Sequence, residues 1–112
     1  MDEFLRKARL QRISQFCSDW VKFSGTMKRG RIPKRRVQRL KEYTLFFEGC
    51  KQDDELGPVA EKCLTLISKL DDYRDTFNKG ENFDEVQRQA DVIIGLVNDI
   101  ERLMGKVFEN GI

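Results

Sequence analysis

The chain has 112 residues, of which 36% are charged and 39% hydrophobic, with a formal net charge of +2 and no histidine. That length suits a single domain, 1–112, with its own core and no need of disulfide or metal staples. Without histidine there is no Ser-His-Asp or Cys-His catalysis, no imidazole metal ligand and no histidine phosphotransfer, so a non-enzymatic protein without cofactor or metal is expected.

No apolar run approaches the roughly 18 to 20 residues a membrane span needs, and the first residues lack the apolar block of a signal peptide. A soluble intracellular protein, nuclear or cytoplasmic, is therefore expected.

Over residues 2–23, Leu10, Ile13, Cys17, Trp20 and Val21 recur at three- and four-residue steps, with Phe16 and Phe23 widening the stripe. This spacing predicts an amphipathic helix. Asp2 and Glu3 suit the positive end of its dipole, and Gly25 is a natural stop. Residues 24–32 (SGTMKRGRI) carry two glycines and no stripe, so they read as a mobile connection.

Pro33 fits the first turn of a second helix, where its missing N–H is not needed. From there to about residue 50, Val37, Leu40, Tyr43, Thr44 and Phe47 share one side, opposite Lys34, Arg35, Gln38, Arg39, Lys41 and Glu42. Leu45 and Phe46 fall off that stripe, and an exposed Phe46 would mark an interface.

After an acidic turn, KQDDELG, a third helix is expected from Pro58, with Val59, Cys63, Leu66, Ile67, Leu70, Tyr73 and Phe77 as its apolar side. Gly80 is its expected left-handed cap. Asn82 followed three residues later by Glu85 has the form of a capping box and opens the longest helix, to about residue 108.

In that last helix Val86, Ala90, Ile93, Val97, Ile100, Met104 and Val107 make a heptad-like seam. Val92, Leu96 and Leu103 add a second apolar line. Gly95 and Gly105 would admit a close helix neighbour, so a homodimer through this line is one expectation; the other is that both lines face the core of one monomer. Four helices joined by short links predict an all-α fold, a four-helix up-and-down antiparallel bundle.

Cys17, Cys50 and Cys63 are odd in number and contain no C-x-x-C pair, and each falls on or near an apolar stripe. Reduced thiols buried as small hydrophobes are expected. The acidic groups Asp53, Asp54 and Glu55, and Asp71, Asp72 and Asp75, lack calcium-loop spacing and read as solvated charge.

Charge is unevenly distributed. Up to Cys50 there are 13 Lys and Arg against 5 Asp and Glu, and beyond it 8 against 14. Eight of the fourteen residues in 28–41 (KRGRIPKRRVQRLK) are cationic and none is acidic. Such a run points to an anionic partner or to pairing between the halves. Arg carries most of it, and Arg contacts phosphate bidentately.

Lys28, Arg29, Arg31, Lys34, Arg35, Arg39 and Lys41 are therefore candidate phosphate contacts, with Arg9 and Arg12 as auxiliaries. Tyr43, on the expected buried side, is the one aromatic residue near them in sequence, so backbone contact with a duplex fits better than base stacking on a single strand. KRGRIPKRR resembles a short basic nuclear-import signal. It is also similar to the AT-hook core Arg-Gly-Arg-Pro, except that Ile32 separates Arg31 from Pro33, and minor-groove insertion is not carried over.

A nucleic-acid-binding protein is the leading expectation. The alternative is a helical protein-interaction module whose basic face meets an acidic protein surface. A plain solvated face is the bland reading of the same charges.

Overall fold

The computed structural model describes residues 2–109, and among them every regular element is helical. Six helical segments occur: α1 (Glu3–Lys28), α2 (Lys34–Lys41), α3 (Thr44–Cys50), α4 (Gly57–Ser68), α5 (Leu70–Lys79) and α6 (Phe83–Glu109). A two-residue turn joins α2 to α3, and Lys69 alone separates α4 from α5, so the segments form four rods in a body of 49 × 23 × 21 Å.

Asp2 caps α1 by accepting the Phe4 N–H at 3.0 Å, and α1 runs past the expected stop at Gly25. The physical reason lies beyond the glycine. Thr26 is buried with its hydroxyl on the Phe23 carbonyl (2.6 Å), and the sulfur of Met27 accepts the Tyr73 hydroxyl at 3.2 Å. The burial of Thr26 and the contact of Met27 with Tyr73 outweigh the roughly 1 kcal/mol that glycine costs inside a helix.

The expected second and third helices are each broken once. The Thr44 hydroxyl takes the Lys41 carbonyl (2.7 Å), and the Ser68 hydroxyl takes that of Thr65 (2.6 Å). Side-chain bonds of this sort compete with the helical ladder and favour its ends and bends. The remaining boundaries follow the sequence: Pro58 lies in the first turn of α4, Gly80 ends α5 at φ +63°, and Asn82 Oδ1 accepts the Glu85 N–H at 3.0 Å to start α6.

Consecutive rods pack on one another, α1 on α2, α3 on α4, and α4 and α5 on α6. The start of α1 meets the end of α6, where Arg6 donates to the Val107 carbonyl (3.3 Å), so these two rods are antiparallel. This order is consistent with an up-and-down bundle.

One continuous core links all the rods, with Phe16 set edge-on to Tyr43 and Phe47 at centroid distances of 5.2 and 4.9 Å. Each fully buried side chain of this size contributes about 1.5–3 kcal/mol. Both apolar lines of α6 face the same chain: the seam is largely buried, Leu96 and Leu103 pack partly buried against the core, and Val92 is 41% exposed. Among the described residues no helix is long and apolar enough to cross a membrane.

Candidate nucleic-acid interface

The basic run divides in two on folding. Arg39 Nε is 3.2 Å from the Asp19 carboxylate and its Nη1 2.8 Å from Glu42, while Lys41 Nζ is 2.8 Å from Asp71. Hydrogen bonding to Glu42 and the Asp19 charge raise the pKa of Arg39, which stays a paired cation. Both residues already have carboxylate partners in their own chain.

Lys28, Arg29, Arg31, Lys34 and Arg35 differ. All five are exposed, and none makes an ion pair among the described residues. They fall within eight residues, on the last turn of α1, the connection 29–33 and the first turn of α2. Arg36 stands beside them, its Nε buried and without a hydrogen-bond partner among the described residues.

The connection is a fixed loop, which corrects the expectation of a mobile arm. Gly30 at φ +83° lets the chain reverse. Ile32 is then fully buried, and both of its backbone polar groups are bonded: its N–H donates to Asn78 Oδ1 (2.8 Å), and its carbonyl accepts from Asn78 Nδ2 (2.9 Å) and Arg74 Nε (3.0 Å). A buried backbone group requires a partner, and α5 supplies both. Five cations are thus displayed on and beside a connection whose centre, Ile32, is anchored to α5.

Arg9 and Arg12 do not join this cluster. Arg9 lies 3.8 Å from Asp53, and Arg12 sits over the Tyr43 ring at 4.3 Å while donating to Gln15 at 2.9 Å. Along α1, Arg9 is about 28 Å from Lys28 at 1.5 Å per residue. The acids that hold Arg9 and Arg6 are also more than solvated charge, which corrects that expectation. Asp53 Oδ1 accepts the N–H groups of Glu55 and Leu56, and Glu55 accepts from Arg6 Nε at 2.6 Å, stitching the α3–α4 loop to α1. Among the described residues no group of acids or thiols is arranged to hold a metal ion.

Sequence reasoning missed Asp19. It is buried, and accepts both the Tyr43 hydroxyl (2.5 Å) and Arg39. Its signal was present: Phe16, Asp19, Phe23 and Thr26 share one helical side, and an acid inside an apolar stripe implies a buried partner.

Phe46 is half-buried against Phe47 at 5.2 Å, and its neighbour Leu45 is the exposed residue of the pair, at 85%. Cys50 and Cys63 are buried as expected, but Cys17 is exposed, in the wall of a groove between α1 and α6, where its apolar surroundings and Glu101 push its thiol pKa up.

That groove comprises two apolar clefts of about 170 and 250 Å³ that share Trp20 and Val97. Val21 and Ile94 stand on its edges, 69% and 54% exposed. No protein-family model, curated protein or solved structure matches the chain.

Proposed function

We propose that this protein binds nucleic acid through its sugar-phosphate backbone, using Lys28, Arg29, Arg31, Lys34 and Arg35 as the phosphate contacts. One observation carries the reading: these five cations lie within eight residues, exposed and without a carboxylate partner among the described residues, on and beside a connection held by Asn78. Cations that meet no acid in their own fold keep their full charge for an outside polyanion, and a fixed loop loses little entropy when it binds. Arg39 and Lys41 act within the fold, bracing α2 against Asp19 and Asp71.

The test is a salt series with a short duplex and a single strand of equal length. Five contacts give a slope of log affinity against log salt of about −4 to −5 on the duplex and about −3 to −4 on the single strand. Replacing Arg31 and Arg35 by alanine flattens it by about 2 units, whereas Lys41→Ala leaves it unchanged. Failure of the unaltered protein to bind either probe at low salt overturns the proposal.

A second reading, docking of a partner helix, has its own observation in the α1–α6 groove. Its lining is apolar apart from Ser24 and the carboxylate of Glu101. An amphipathic helix with a basic residue beyond its apolar face complements it. A synthetic Leu/Lys helix that binds the protein but not its Ile94→Glu variant supports this reading, and equal binding to both rejects it.

A further inference from the structure

The sequence places no exposed aromatic beside the basic run, since Tyr43 is buried beneath Arg12. Folding supplies one from fifty residues away. Ile32 is bonded to Asn78 in the last turn of α5, and α6 begins at Phe83 after the turn at Gly80. Five extended residues reach at most about 17 Å, and the left-handed turn shortens that span.

The antiparallel pairing of α1 and α6 gives the same placement independently. Met27 and Ala90 line one cleft. Beyond it, α1 ends at Lys28 and the chain runs on through Arg29 and Arg31, while α6 runs back to Phe83 at the same end of the molecule.

Phe83 is 77% exposed. It is also the first residue of α6, next to the Asn82 cap, and a hydrophobic staple would use the residue before the cap, here Glu81. Local helix capping therefore does not account for an exposed ring at this position. Phe4 is equally exposed, but the arginines near it, Arg6 and Arg9, are held by Glu55 and Asp53.

We propose that Phe83 is a stacking platform for an unpaired base of a single-stranded nucleic acid whose phosphates lie on the 28–35 loop. The inference rests on the nucleic-acid reading above and names the form of nucleic acid. Glu81 and Asp84 flank the ring and repel phosphate, while the face of a neutral base stacks on an aromatic ring whatever its identity. The charges thus sort one strand into two tracks, phosphates toward the cations and a base toward the ring. A duplex, with its bases already stacked, offers nothing to Phe83.

The experiment measures binding of a labelled oligothymidylate and a blunt-ended duplex of two annealed strands across a series of low salt concentrations, using the full chain and its Phe83→Ala and Phe83→Trp variants. The ring is exposed, so both variants are expected to fold, and circular dichroism checks this. The expected result is a roughly five- to hundredfold loss of single-strand affinity in Phe83→Ala, with an unchanged salt slope and unchanged duplex affinity. Phe83→Trp retains binding, and its added emission, over that of Trp20, is quenched by the single strand.

Single-strand binding by Phe83→Ala equal to that of the unaltered protein, or equal losses on both probes, overturns the stacking platform and leaves backbone binding standing. No binding of either probe by the unaltered protein overturns backbone binding itself.

Discussion

Asp19 shows how one side chain redirects a charged surface. Its carboxylate is buried against the Tyr43 hydroxyl and Arg39, and a buried anion is tolerated only when paired and hydrogen-bonded. Asp19→Ala leaves the Tyr43 hydroxyl buried without its acceptor, a loss of about 1–3 kcal/mol, read as a lower urea midpoint. Arg39→Ala also destabilises, because it strands the Asp19 carboxylate. This separates Arg39 from Arg35, whose replacement is expected to leave the urea midpoint unchanged and to weaken polyanion binding.

At the scale of elements, periodicity located the four rods, and tertiary contacts set their ends. The extension of α1 through Gly25 depends on the burial of Thr26 and on Met27 meeting Tyr73 of α5. Gly57 is a position the sequence did not flag. A Cβ there would lie 2.7 Å from the Lys51 carbonyl oxygen, so only glycine lets the chain enter α4 so close to the end of α3. Gly95, in contrast, is helical and has nothing within 4 Å of where its Cβ would stand.

Gly57→Ala is therefore expected to lower stability by about 1–3 kcal/mol, and Gly95→Ala to raise it by about 0.5–1 kcal/mol. Urea midpoints measured side by side check both. A drop for Gly95→Ala would mean that a second helix approaches that face in solution.

Across the whole molecule, stability should depend on pH chiefly on the alkaline side. Burial raises the pKa of the Cys50 and Cys63 thiols above their ordinary 9.0, and burial raises those of the Tyr43 and Tyr73 phenols above 10.0, with the Asp19 hydrogen bond adding to the effect at Tyr43. Since the folded-state values are raised, their contribution is complete below the unfolded values and is lost as pH rises through them. Urea midpoints should be level from pH 7 to about 9 and fall beyond, and Tyr43→Phe should fall less steeply above pH 10. An unchanged midpoint at pH 11 would contradict the burial of these groups.

The charge asymmetry is likewise resolved only at this scale. Arg6, Arg9 and Lys41 in the basic half meet Glu55, Asp53 and Asp71 of the acidic half, so part of the imbalance is consumed internally. Of the cations that make no ion pair among the described residues, the densest group is Lys28, Arg29, Arg31, Lys34 and Arg35, while Lys7, Lys22, Lys69, Lys79 and Lys106 stand apart from it in the sequence.

The all-helical class, the caps at Gly80 and Asn82, and most core positions were legible in the sequence, because helix formation depends on neighbours three and four residues apart. The fate of each cation was not legible. It depends on which acid arrives from thirty to fifty residues away, as Asp71 does for Lys41 and Glu55 for Arg6. The same holds for the anchored loop and for Phe83: Asn78 and the ring are distant along the chain, and only the packing of α5 and α6 brings them to the basic end.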